Sequence, residues 1–362
     1  MTVLRWLAPW LPLALSLTLL GCPPAEDPGT AGQGPTGPGE LNLLIYSEYI
    51  PPELLEEFQR RSGAPVRVSL FEGNEEMMQK LQLGGGKSQF DLVVASNQLI
   101  KTMGHLGLIQ KLDHARLRNL GHLAPRFKDP SYDPGCAWSV PYQWGSVGVL
   151  YDAQKLPQLA PTWKVLFEQP PGSFVLIDEM RDQLGAALIS LGHSVNTTDP
   201  AQVKAAGERV LAAKQRPQAL GFEGGVGGKN KVLGGAADLA VVWNGDAVRA
   251  IEESQGRLAF VIPEEGSIGW VDCMVIPAEA PRADLAHAFI DFILEPEVGA
   301  KLSNFTKYAT PNQAALPHVR EADRQNPAIY PPEATQAKLE YLVDLGADQR
   351  LYDEVWTAVK SR

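Results

Sequence analysis

The sequence predicts an α/β protein whose first strands form a parallel sheet covered by helices. The pattern from residue 41 to 95 is the main reason. Residues 41–46 (LNLLIY) form a short apolar run of the kind that makes a buried strand. Pro51-Pro52 then opens a helix with Leu54, Leu55 and Phe58 on one face and Gly63 at its end. Residues 66–71 alternate as a second strand, 77–83 continue as a helix that Gly84-Gly85-Gly86 stops, and 90–95 (FDLVVA) make a third strand. Strand–helix alternation of this kind implies parallel pairing. Length adds that there are two compact units, because 362 residues exceed the roughly 100–200 of one domain. A 44% hydrophobic content supplies the core for both.

The remaining elements follow the same signals. Residues 140–151 are a long extended stretch, 174–178 a strand and 181–191 a helix. Residues 196–200 (NTTDP) read as a turn and cap that open a helix over 201–214, rather than as a glycosylation site. Residues 221–235 are glycine-rich and read as a loop. Strands are expected at 239–243, 258–263 and 270–277, an amphipathic helix at 283–294, and helical segments after Pro332. There is no internal repeat, and nothing in the body reads as a membrane span.

The N-terminal 40 residues read as an address. One positive charge precedes residues 6–20, which are almost wholly apolar and too short to cross a bilayer comfortably. The stretch ends Leu19-Leu20-Gly21-Cys22, which resembles the bacterial lipobox. That resemblance implies a signal peptide over 1–22 and lipidation of Cys22; a plain secretory signal is the alternative. Residues 23–40, rich in Pro, Gly and Thr, cannot bury enough surface to order themselves, so they read as a flexible tether.

Several function classes are disfavoured. A formal net charge of −10 argues against nucleic-acid binding, which needs clustered Lys and Arg. The three cysteines form no C-x-x-C pair, and Cys136 and Cys273 could be a disulfide or two buried thiols. The six histidines show no metal-ligand spacing. Gly84 to Ser88 resembles the end of a P-loop, but Leu81 stands where its first glycine belongs. No G-x-S-x-G elbow surrounds Ser146. No catalytic residue, cofactor or metal is expected.

The body, from residue 41 on, resembles the bacterial spermidine/putrescine-binding proteins of ABC transporters. The resemblance rests on YSEYIPPELLEEF at 46–58, EGNEEM at 72–77, FDLVVAS at 90–96, IQKLD at 109–113, VPYQWG at 140–145, LGHSVNTTDP at 191–200, VVWNGDA at 241–247, GWVDCMVIP at 269–277 and YATPN at 308–312, all in order. It implies a two-lobed periplasmic-binding-protein clamshell of the type II kind, each lobe a mixed sheet flanked by helices. Lobe one is expected at 41–146 plus 272–316 and lobe two at 147–271 plus 317–362, with crossings near Gly145 and near 270–273. Ligand would sit between the lobes and be buried on closure.

A polyamine is a methylene chain carrying ammonium groups. Its site needs carboxylates, because an unpaired buried cation is costly. It also needs aromatic faces, each worth about 0.5–2 kcal/mol against a cation. The resemblance implies an aromatic wall of Tyr46, Tyr49, Trp243, Trp270 and Tyr308, acids Glu48, Glu179, Asp182 and Asp272, and polar contacts from Ser47 and Ser96. Asp246 resembles the acid of putrescine binders, whereas Gln98 replaces an expected aromatic and Leu342 an expected amide. Read without the resemblance, Trp243 suits a core and Glu179 and Asp182 suit helix-start charges. The spacing of Trp270 and Asp272 puts both on one face of a strand. Ser96 falls at the carboxyl end of a parallel strand, a common place for binding residues.

The implied function is capture of spermidine or putrescine outside the cytoplasm, in the periplasm or at the outer cell surface. The partners would be an ABC permease and its ATPase, the membrane through the lipid anchor only, and no second copy, so a monomer is expected. Another organic cation on the same fold and a polyamine-sensing subunit are the alternative readings. An enzyme is disfavoured for want of a nucleophile or metal motif.

Overall fold

The computed structural model describes residues 39–83 and 88–362. The expected leader, Cys22, the tether as far as residue 38 and the Gly84-Gly85-Gly86 stop lie outside the described residues. Among the described residues ten strands follow in chain order: β1 (Leu41–Tyr46), β2 (Val66–Phe71), β3 (Leu92–Ser96), β4 (Ser139–Asp152), β5 (Phe174–Ile177), β6 (Ala219–Glu223), β7 (Leu239–Trp243), β8 (Leu258–Val261), β9 (Ser267–Val275) and β10 (Leu339–Tyr341). They pair in the path β2-β1-β3-β9-β4-β7-β5-β6, with β10 on β9 and β8 on β4.

The path has two halves. In the first, β1 pairs parallel with β2 and β3, and β9 runs antiparallel between β3 and β4. In the second, β4 runs antiparallel to β7 and β8, while β7, β5 and β6 are parallel. Each half is therefore a mixed sheet. The two meet on β4, which pairs with β9 up to Ser146 and with β7 from Val147 onward. At the join, Gly145 lies opposite Trp270, and a Cβ there would overlap Asn244 Oδ1 and Trp270 Cζ2. Only glycine fits that close approach.

Local chemistry explains most boundaries. Helix Pro52–Ser62 has Pro at its first position and Gly63 in the left-handed region, φ 76°, at its end. It buries Leu54 and Phe58. Helix Pro200–Lys214 is capped by Asp199, whose side chain accepts from the Ala201 amide at 2.8 Å. Strands β1 and β3 are almost wholly buried, as central parallel strands with both faces covered must be.

Several expectations need correction. The glycine-rich stretch 221–235 is not a loop: it contains the end of β6 and helix Gly227–Leu233. Tertiary packing overrides the poor helix propensity of glycine here, since Gly228, Lys229 and Val232 are buried. Helix Asn74–Gln82 begins three residues before the expected start, and β3 begins at Leu92 rather than at residue 90. Asn196 does not cap a helix; its side chain binds Arg181, Glu340 and the backbone at 341 and 343. The segment after Pro332 holds β10 as well as helix Gln349–Ser361. Helices Asn97–His105, Asn244–Glu253 and Pro296–Thr306 were not read from the sequence. Cys136 and Cys273 are both buried free thiols. Among the described residues no helix is long and apolar enough to cross a membrane.

Candidate functional site

The parallel strands of both halves end at one place. Tyr46 ends β1 and Ser47, Glu48 and Tyr49 follow it; Glu72 and Asn74 follow β2; Ser96 and Gln98 lie at the end of β3. From the other half, Glu179 and Asp182 follow β5, Gly225 and Val226 follow β6, and Trp243 and Asp246 lie at the end of β7. Trp270 and Asp272 of β9, Tyr308 and Leu342 complete the lining. All twelve candidate ligand residues named from the sequence therefore line one cavity, at the carboxyl ends of parallel strands where ligand sites gather. Gln98 and Leu342, set apart in the sequence as departures, line it too.

The space is narrow. About 40 Å³ is open to the centre of a water-sized sphere. One water needs roughly 10–15 Å³ on that measure, so this is a slot only a few waters in size. Rings form its walls. Tyr46 stands edge-on to Tyr49 at 5.8 Å and to Trp243 at 6.0 Å between centroids. Tyr308 meets Tyr49 at 5.4 Å and Trp270 at 5.0 Å. Gly245 allows this closeness, because a Cβ there would stand 2.5 Å from Tyr308 Cε1.

Each acid is held by a neighbour. Tyr49 donates to Asp272 Oδ2 at 2.8 Å, Trp243 Nε1 to Asp182 Oδ2 at 2.8 Å, and Tyr308 to Asp246 Oδ2 at 2.9 Å. Asn74 donates its amide side chain and its backbone N–H to Glu179 at 3.2 and 3.3 Å. Ser47 donates to Glu72. Burial is the main influence on these groups. It pushes Asp272 up to about 7, with the nearby Asp182 adding to the effect and the Tyr49 hydrogen bond opposing it. Burial likewise raises Asp182 and Asp246 to about 6, against the Trp243 hydrogen bond in one case and the Lys229 charge in the other. Glu179 is raised well above the ordinary range by burial and by the charges of Glu75 and Asp182.

Glu48 differs. Burial pushes its carboxyl up, but the hydrogen bond and charge of Lys229, joined by Arg249, hold it below the usual value. Lys229 Nζ and Arg249 Nη1 lie 2.7 and 3.0 Å from Glu48 Oε2. The expectation of Glu48 as a free acid for ligand thus meets a carboxylate that already has two cations. By contrast, Glu179, Asp182, Asp246 and Asp272 have no ion-pair partner within 4.0 Å among the described residues.

Reasoning from sequence missed Glu72, Asn74, Gly225 and Val226 as lining residues. The strand-end rule that singled out Ser96 would have found Glu72 and Asn74, applied to β2; Gly225 and Val226 follow β6, a strand not read from the sequence.

Two facing sheet halves that close on a slot of rings and carboxylates define a ligand-capturing clamshell. The chain belongs to the family of bacterial extracellular solute-binding proteins, whose model matches residues 53–329. It is 34% identical over 324 residues to the spermidine/putrescine-binding periplasmic protein of Salmonella typhimurium, covering 89% of this chain and 91% of that one. Among solved structures it resembles a protein of Listeria monocytogenes described as a spermidine/putrescine ABC transporter, with 33% identity, a TM-score of 0.82 and coverage of 89% and 99%. A lipoprotein of Treponema pallidum is also similar, with 27% identity, a TM-score of 0.80 and coverage of 89% and 100%.

Proposed function

We propose that this chain captures a polyamine of the spermidine/putrescine class outside the cytoplasm and passes it to an ABC permease with its ATPase. One observation carries the reading: a narrow slot whose ring walls hold buried carboxylates that lack a cationic partner of their own. Ammonium groups would supply the missing charge to Glu179, Asp182, Asp246 and Asp272. The faces of Tyr46, Tyr49, Trp243, Trp270 and Tyr308 would cover the methylenes, each worth about 0.8 kcal/mol when buried. Ser47 and Ser96 would take ammonium N–H donors through their oxygens. The width of the slot favours a slender linear chain over a sugar or an aromatic cation. The names of the Salmonella and Listeria relatives point the same way.

The two lobes are proposed at 41–146 plus 272–316 and 147–271 plus 317–362, turning about the crossings on β4 and β9. Cys22 would carry the lipid anchor and residues 23–40 the tether, so the membrane is touched through the anchor only. The protein would act as a monomer in the periplasm or on the outer cell surface. It performs no chemistry in this reading, in keeping with a family that binds solutes.

Isothermal titration tests the proposal. The purified protein is unfolded and refolded to strip any bound amine, then titrated with spermidine and with putrescine. Saturable one-to-one binding of either supports it. No heat and no thermal stabilisation with either amine would overturn it.

A further inference from the structure

The Glu48 corner of the cleft holds a lysine that the function proposed above does not use. Lys229 is only 2% exposed, and its ammonium lies 2.7 Å from a carboxylate that lines the cleft. Long charged side chains are almost never buried so fully unless paired, and here the partner comes from the opposite sheet half. The chain goes to some length to put it there. Gly225, with φ +48°, makes a left-handed turn after β6, where a Cβ would collide with the Glu72 side chain. Helix Gly227–Leu233 then starts at once and sets the buried Lys229 against Glu48. On the other side Glu48 itself has φ 57°, a strained conformation for a residue other than glycine. Its carbonyl accepts from Arg249 at 3.2 Å, which fixes the strained turn.

The acids consequently fall into two sets. Asp182, Asp272 and Glu179 are held by neutral donors from Trp243, Tyr49 and Asn74. Glu48 is matched by Lys229 and Arg249, whereas Asp246, held by the neutral Tyr308 hydroxyl, has no cation within 4.0 Å among the described residues. A ligand ammonium brought to Glu48 would meet two cations within 4.0 Å of the carboxylate, whereas Glu179, Asp182 and Asp272 have no cation that close among the described residues. We propose that Lys229 is a specificity-determining residue: its ammonium occupies the position of a third ligand charge beside Glu48, so that the cleft takes a diamine in preference to a triamine. This inference rests on the polyamine reading and names the member of that class.

The test compares 1,4-diaminobutane with spermidine by isothermal titration, using the full chain and its Lys229→Met variant. The unaltered protein should bind the diamine at least tenfold more tightly. Lys229→Met should move the ratio of the two constants at least tenfold toward the triamine. A lysine that only staples the fold would weaken both amines alike and leave the ratio where it was, and that result overturns the inference. So does a preference for spermidine in the unaltered protein, which needs no variant to be folded. Failure of both amines to bind the unaltered protein would instead overturn the polyamine reading itself, and this inference with it.

Discussion

The Tyr49 hydroxyl donates to Asp272 Oδ2 across 2.8 Å, joining residues 223 apart in the chain. The same tyrosine is fixed from behind, where its carbonyl accepts from the Tyr142 hydroxyl at 2.8 Å. Tyr49→Phe keeps the ring and removes the one side-chain donor to Asp272 among the described residues. A hydrogen bond to a charged group contributes about 1.5 kcal/mol or more, so polyamine affinity should fall roughly tenfold. Losing that donor also lets burial raise Asp272 further, so the deficit should be larger at pH 6 than at pH 7.5. An equal deficit at both values would mean that Tyr49 acts through packing alone.

Asp272→Asn and Trp270→Ala address the charge and the wall separately. Each should weaken binding at least tenfold, about 1.4 kcal/mol, in titrations of the refolded protein. Wild-type affinity in both variants would remove the cleft from consideration as the ligand site.

Acidity should act on binding and on folding in opposite directions. Asp182 and Asp246 at about 6 and Asp272 at about 7 lie above the roughly 3.9 of an aspartate in an unfolded chain. Between those values the folded protein holds protons that the unfolded chain has lost. The contribution of these groups to stability is therefore present at low pH and is lost as pH rises through 6 to 7. In the absence of amine, these carboxyls should make the melting temperature lower at pH 7.5 than at pH 5. Binding a cation needs the same carboxyls ionised, so affinity should rise over that range and protons should be released. Calorimetry at pH 6.5 in buffers of different ionisation enthalpy measures the release directly, and a buffer-independent heat would contradict it.

Gly245→Ala tests how tightly the cleft is assembled. Its new Cβ would stand 2.5 Å from Tyr308 Cε1, so the ring must move and its bond to Asp246 with it. Overpacking of this kind costs about 1–3 kcal/mol. Thermal denaturation should report that loss, and titration a weaker grip on amine; a neutral substitution would mean that Tyr308 can shift without consequence.

Behind the cleft, Lys307 is buried with Asp323 at 2.9 Å and also reaches Glu252. Lys307→Met leaves the Asp323 carboxylate with Arg320 Nε, 2.8 Å away, as its remaining cation, and should cost about 1–3 kcal/mol in chemical denaturation. The double variant with Asp323→Asn should recover part of it. Failure to recover would mean that the lysine contributes chiefly through contacts other than Asp323, Glu252 among them.

Much of the fold was legible because the signals are local. The run LNLLIY needs no partner to read as a strand, and Pro52 with Gly63 brackets a helix by backbone chemistry alone. Helix Gly227–Leu233 was illegible for the converse reason: what holds it together is Lys229 and Val232 buried in the tertiary structure. Strand β10 has three residues and exists only because β9 offers it an edge. The cleft was legible through resemblance more than through residue chemistry, since Trp243 after an apolar strand reads equally well as core. The pairing of Glu48 with Lys229, residues 181 apart, leaves no mark in the sequence at all.

Glu179 and Asp182, at the start of one helix, and Asp272 of β9 converge on the slot. Shutting the two halves without a cationic guest forces like charges together or obliges them to take up protons. In the proposed two-lobe reading, closure would work against a spring made of the protein's own side chains. An arriving polyamine is the counter-ion that relaxes the spring, and surrendering it to a permease restores the tension. In that reading release of cargo and reopening of the lobes would be one event, driven by the same carboxylates that made the catch.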